Sequence, residues 1–319
     1  MHSTNYIDFS VRQNKAIERA LVFEGLRRVA ACIGRTDFVY VGFGSVWFVD
    51  FDSAHRELGV ETMISIEAEP VTYRRAQFNK PYRTIEIIHG MSHDVLPQLI
   101  VDRADLTQRP WIVWLDYDNV LDETKLDEIQ ALIATLPDDS VLLATFSASL
   151  PRYASPPSSA RARFEELFGN AFPTERFPST RSYKDEKALM VALSEALSDF
   201  MQSEHIRSAR PGRFVPGFRL QYQDGTPMAT AGGVLASDSN AEAIAKLVDG
   251  TNWTAASSVP IVTPPLTQRE VAALRALLPN EQEPSRQDVQ NLGFDLEDEQ
   301  IASFVEHYLR YPSFVQTAR

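Results

Sequence analysis

Between residues 37 and 147, short runs that are apolar almost throughout alternate with longer stretches whose apolar residues return every three or four positions. The runs VYV, MISI, IEII, WIVWL and VLLAT predict strands at 37–42, 62–67, 84–89, 110–116 and 139–146. Helices are expected between them at 47–58, 70–79, 93–102 and 122–136. Strands joined through helices pair in parallel by right-handed crossovers, and strands without a polar side belong to a sheet covered on both faces. In open sheets of this kind ligands gather at the carboxyl ends of the strands.

On either side the pattern changes. Residues 11–33 carry Ile17, Leu21, Val22, Phe23, Leu26 and Val29 near helical spacing, which predicts an amphipathic helix ahead of the first strand. Its polar positions, Arg12, Lys15, Glu18 and Arg19, read as a solvated face with a second use as ligand contacts. Residues 147–182, rich in Pro and Ser around a short helix at 160–168, interrupt the alternation and suggest a substrate-shaping excursion or lid. After a long helix at 183–203, two strand-like runs between 213 and 236 meet at Asp224-Gly225, a hairpin signal that makes them antiparallel. A helix at 239–248 and the linker SSVPIVTPP then lead to three short amphipathic segments within 266–311, with Thr267 and Ser285 as N-caps and Gly293 as a stop. The chain thus divides into a helical extension (1–36), an α/β domain (37–250, with 147–182 inserted) and a small helical module (264–319) that resembles a winged helix.

The first strand runs into Gly42-Phe43-Gly44-Ser45, and the second ends in Glu67. A strand, a glycine turn, a helix and a second strand ending in an acid form a nucleoside-binding half-site, the acid serving the ribose hydroxyls. Glycine lacks a Cβ, so the turn is sharp and its backbone can lie against a ligand. In the dinucleotide fingerprint a third glycine packs the helix onto the strand and aims its N-terminus at a pyrophosphate. Trp47 takes that position here, which disfavours NAD or FAD and suits S-adenosylmethionine, a nucleoside without phosphates.

Composition narrows the field further. A formal charge of −12 argues against broad binding to a nucleic-acid backbone, and the cluster Arg74, Arg75, Lys80 and Arg83 reads as a solvated helix face. No apolar run reaches the length of a membrane span and the N-terminus lacks a signal core, so a cytoplasmic protein is expected. Cys32 is the only cysteine, which excludes an intrachain disulfide.

With five parallel strands and a closing antiparallel hairpin, residues 35–237 resemble the class I S-adenosylmethionine-dependent methyltransferases, and within them bacterial O-methyltransferase-like proteins. The resemblance implies a Rossmann-like seven-stranded sheet and S-adenosylmethionine as cofactor. It assigns the cofactor to Gly42, Phe43, Gly44, Ser45, Glu67, Ala68, Gly90, Met91, Ser92, Asp116 and Tyr117, with Asp116 also catalytic. Where such proteins often place an Asp to accept from the adenine amine, this chain has Met91, which leaves backbone groups, Ser92 or Asp94 to read the base. Asp116 could orient the cofactor's ammonium or take a proton from an acceptor hydroxyl, whereas Asp118 or Asp122 suits the cap of the next helix.

Metal-dependent catechol-type relatives add an Asp-Asn pair after the fifth strand. Thr145-Phe146-Ser147-Ala148 stands there, so no metal is expected, and His89 and His93 are not read as ligands. The prolines of the Asn/Asp-Pro-Pro-Tyr motif of amino-methyltransferases are absent from Asp116-Tyr117-Asp118-Asn119. The leading expectation is therefore metal-independent O-methylation of a small-molecule or protein acceptor. Crowding of the turn by Phe43, Trp47 and Phe48 supports an alternative, a catalytically inactive methyltransferase fold serving as a scaffold. The N-terminal helix and the C-terminal module are candidate faces for a second copy or a protein partner.

Overall fold

A computed structural model of the chain describes residues 12–312. Its centre is one seven-stranded sheet in the order β3-β2-β1-β4-β5-β7-β6. The strands are β1 (Val39–Gly42), β2 (Thr62–Glu67), β3 (Ile85–His89), β4 (Trp111–Asp116), β5 (Ser140–Ser147), β6 (Arg213–Asp224) and β7 (Thr226–Ala236). The first five are parallel, while β7 runs antiparallel to both β5 and β6. Reversal of the crossover direction between β1 and β4 opens a crevice at the strand ends, as it does in other doubly wound sheets.

The helices are α1 (Gln13–Ile33), α2 (Val49–Leu58), α3 (Pro70–Asn79), α4 (Ser92–Asp102), α5 (Glu123–Thr135), α6 (Leu150–Tyr153), α7 (Ala160–Phe168), α8 (Glu186–Arg207), α9 (Ala241–Val248), α10 (Gln268–Arg275), α11 (Arg286–Asn291) and α12 (Asp298–His307). Because side chains alternate along a strand, each strand feeds two cores. Val39 and Val41 join the layer formed with α4 to α8, whereas Phe38 and Tyr40 join the layer formed with α1, α2, α9 and the C-terminal helices.

The insertion at 147–182 is folded against the first of these layers. Phe164, Phe172, Phe177 and Tyr183 stack on one another with centroid separations of 4.7 Å (Phe164–Phe172), 5.4 Å (Phe172–Phe177) and 4.8 Å (Phe177–Tyr183). In the C-terminal module Thr267 and Ser285 cap their helices in reciprocal capping boxes, and Gly293 follows α11 at φ +103°. Helices alone, with no strand, form this module among the described residues beyond Ile261.

Two local expectations are corrected. First, α2 begins at Val49, two residues later than its pattern suggests, because Phe48 turns left-handed at φ 51°. Phe48, rather than Trp47, therefore fills the space against the glycine turn. It is fully buried, while Trp47 is 45% exposed. Second, the polar side of α1 is not a solvated face: Lys15, Glu18 and Arg19 are all buried. The closing hairpin is the reason. Its tip brings the Asp224 carboxylate to the first turn of α1, where it accepts from the backbone N–H of Asn14 (3.2 Å) and of Lys15 (2.8 Å) and acts as a cap supplied from a distant strand.

Candidate functional site

A cavity of about 590 Å³ opens at the carboxyl ends of β1, β2, β3 and β4, within the size range of small-molecule sites. Phe43, Gly44, Ser45, Glu67, Ala68, Gly90, Met91, Ser92, Asp116 and Tyr117 all line it. Gly42 alone among the sequence-derived candidates lies behind the wall, where a Cβ would stand 3.1 Å from the Trp114 carbonyl oxygen. A Cβ on Gly44 would lie 2.5 Å from the Phe48 ring and 2.8 Å from Ser65 Oγ, so only glycine fits there.

Ser65 joins this turn to the acid. Its hydroxyl accepts from the Gly44 N–H (3.0 Å) and lies 3.4 Å from Glu67 Oε1. Glu67 is buried, and burial lifts its carboxyl to a pKa of about 7, against the opposing pull of the Ser45 N–H and the Ser65 hydroxyl. Near neutral pH this group is therefore poised between its two forms, and a ligand that donates hydrogen bonds to it favours the charged one.

Asp116, at the end of β4, does not face the cavity as an isolated acid. Its Oδ2 pairs with Lys15 Nζ at 2.9 Å, and the same ammonium lies 3.3 Å from Glu18 Oε2. The ammonium also sits over the rings of Trp114 (4.7 Å) and Tyr222 (5.3 Å). Burial disfavours charge on Lys15, but the Asp116 and Glu18 carboxylates outweigh it and hold its pKa well above the ordinary lysine value. Behind this group runs a chain of hydrogen bonds. Trp114 Nε1–H donates to Thr145 Oγ1 (2.9 Å), Thr145 and Thr230 share a bond (2.7 Å), and Thr230 donates to Glu18 Oε1 (2.7 Å). Beside it, Arg19 pairs with Asp50, and both line the cavity. Asp118 stands at the rim. Although its side chain reaches solvent, crowding by the cavity walls and repulsion from Asp116 raise its carboxyl to about 6.

The far wall is built by α5. Asp122 caps this helix by accepting from the Lys125 N–H (3.1 Å), as the sequence allows. Tyr117 donates its hydroxyl hydrogen to Glu128 Oε2 at 2.8 Å. Glu128 is buried, and burial raises its pKa while Tyr117 and Ser92 pull it down. His89 and His93 do not converge: His89 Nε2 lies 3.1 Å from the Ala68 carbonyl and His93 lies 3.7 Å from Asp94. Among the described residues no three His, Cys, Asp or Glu side chains are grouped to hold a metal ion. No described helix is long and apolar enough to cross a membrane. No residue of 147–182 lines the cavity; the insertion reaches only its rim, where Arg152 donates to the Asp118 carbonyl (3.1 Å).

Sequence reading passed over Asp50 and Glu128 and gave Arg19 mainly to solvent. The signal for Glu128 is its place in α5: it falls one turn before Leu132, within the stripe of Leu126, Ile129 and Ile133 that faces the core.

Parallel strands in the order 3-2-1-4-5 closed by an antiparallel hairpin, with a glycine turn after β1 and an acid after β2, define a class I methyltransferase fold. Over residues 7–319 the sequence matches the family described as "Putative O-methyltransferase", and the chain belongs to that family. Among solved structures it is similar to an O-methyltransferase from Bacillus cereus in complex with SAH, with 14% identity over 71% of this chain and 82% of that one and a TM-score of 0.38. It is also similar to Trm1 from Pyrococcus horikoshii with S-adenosyl-L-methionine, with 11% identity over 72% of this chain and 57% of that one and a TM-score of 0.43. No curated protein matches it by sequence.

Proposed function

We propose that the protein is a methyltransferase that takes its methyl group from S-adenosylmethionine and delivers it to an oxygen of its acceptor without a metal ion. One observation carries this reading: a single cavity is lined by the glycine turn, by the buried acid ending β2 and by the paired acid ending β4. When bound, S-adenosylmethionine supplies an electrophilic methyl group on a sulfonium, which leaves the protein to align the acceptor and exclude water.

The lining suits such a ligand on three counts. Gly44 has no room for a side chain, so the turn offers bare backbone to the methionine portion. Glu67 offers a carboxylate to the paired ribose hydroxyls, and its raised pKa means that those donors would also fix its charge. Met91 offers an apolar, half-exposed surface to the base. Asp116 would orient the amino-acid ammonium or the acceptor hydroxyl through Oδ1, since Lys15 engages Oδ2.

Metal independence is supported by the end of β5. There Thr145 is buried and bonded to Trp114 and Thr230, and Ser147 is fully buried, so neither offers a carboxylate to the cavity. The scaffold alternative loses its main support, because Phe48 packs into the core and Trp47 lies at the cavity wall without closing it. Isothermal titration calorimetry with S-adenosylhomocysteine tests the reading. Saturable heat is expected, and loss of the Glu67 hydrogen bonds in Glu67→Gln should cost about 1–3 kcal/mol of affinity. A folded protein that gives no heat at millimolar ligand sinks the proposal.

A further inference from the structure

Tyr117, from the β4–α5 connection, and Ser92, the first residue of α4, approach Glu128 on α5, so three parts of the fold meet at this end of the cavity. Tyr117 satisfies Oε2, and the Ser92 hydroxyl is near enough to lower the pKa of the carboxyl, but Oε1 is buried with no partner at hydrogen-bond geometry. A buried carboxylate oxygen left unpaired is costly to the fold, and because Glu128 lines the cavity a donor bound there could relieve that cost. At the neighbouring turn, Met91 can pack against a flat ring but offers no side-chain acceptor to an amine.

On the proposed reading the nucleoside's ribose lies at Glu67, and its 5′ substituent runs to the glycine turn. The base is then left for the end walled by Gly90, Met91, Ser92, Tyr117 and Glu128. We infer that Glu128 Oε1 accepts the exocyclic amine of adenine, so that the base is read by a carboxylate on α5 rather than by a residue of the β3–α4 turn. This inference rests on the methyl-donor reading of the cavity. The carboxylate selects a base that donates at position 6. Hypoxanthine, which carries an oxo group there, would set two acceptors against each other.

Calorimetric binding of S-adenosylhomocysteine and of its hypoxanthine analogue tests the assignment, with no turnover required. The unchanged protein should favour the adenine ligand by about 10- to 100-fold, the worth of one hydrogen bond to a charged group. In Glu128→Gln, the Tyr117 hydroxyl claims the amide oxygen and the amide NH2 is presented to the base. Discrimination should fall by at least about tenfold or invert, with circular dichroism and melting confirming the fold. Glu67→Gln should weaken both ligands alike and keep their ratio. Retention of full discrimination in folded Glu128→Gln overturns the assignment while leaving the methyl-donor reading in place. Failure of both ligands to bind the unchanged protein overturns that reading and this assignment with it.

Discussion

Glu67 is pulled in opposite directions by the fold and by its proposed ligand. An unfolded glutamate ionises near its ordinary value of 4.5, whereas burial pushes the native group up to about 7. Between those pH values the unfolded chain has lost a proton that the native chain keeps. The contribution of this carboxyl to stability is therefore fully present below 4.5 and is lost as pH rises through 7, a change of about 3 kcal/mol. Glu67→Gln, which has no proton to lose, should gain stability relative to the unchanged protein between pH 5 and pH 8, as read from urea midpoints. Parallel pH curves for the two proteins would show that Glu67 is ionised like an exposed glutamate. Binding has the opposite dependence, because ribose hydroxyls donate to the carboxylate. Affinity for S-adenosylhomocysteine should rise from pH 6 to pH 8, and the rise should vanish in Glu67→Gln. Gly44 sets a second, purely steric constraint. Gly44→Ala places a methyl group against Phe48 and Ser65 and should destabilise by about 1–3 kcal/mol. Because Ser65 also leads to Glu67, the variant should bind ligand more weakly even where it stays folded; an unchanged affinity would separate the turn from the acid.

At the scale of elements, α1 is where the structure departs most from its pattern. Lys15 compensates two carboxylates, and Lys15→Met leaves Glu18 and Asp116 buried or half-buried without their cation. Removing one partner from such a group should cost about 3–5 kcal/mol. A smaller loss on adding Glu18→Gln to Lys15→Met, measured by urea unfolding, is the expected sign that the stranded charge causes the damage. The sheet itself was legible: β2 and α3 fall at 62–67 and 70–79, as their patterns indicate, because apolar runs and helical periods are local properties. The cavity's candidates were legible too, since they sit at strand ends that those runs mark. The environment of α1 was not. A helical wheel assigns Lys15 to solvent, and the groups that bury it, Tyr222 and Asp224, lie more than 200 residues away along the chain. The same limit hid Phe48, whose left-handed backbone delays α2 and exchanges its place with that of Trp47.

For the molecule as a whole, the C-terminal helices decide whether the chain melts as one unit or two. Their sequence suggests a separable module, but Val271, Leu274, Val289, Leu296, Ile301, Phe304 and Tyr311 share one continuous core with α1, β6 and β7. Burial of such side chains is worth about 1.5–3 kcal/mol each, a sum comparable with the whole net stability of a typical domain, about 5–15 kcal/mol. Polar ties run the same way. Arg310 forks onto Glu24 of α1 at 2.8 and 2.7 Å, and Thr263 of the linker donates its N–H to the Asn14 side chain (2.9 Å). Asn14 adjoins Lys15, so the linker, the start of α1 and Asp116 form one connected path to the cavity wall. Scanning calorimetry should therefore show a single transition whose calorimetric and van't Hoff enthalpies agree. Arg310→Ala should shift that transition as a whole without splitting it. Two separable transitions, or a chain ending at residue 263 that stays soluble and keeps its melting temperature, would establish the helices as an independent domain and leave α1 held by the hairpin alone.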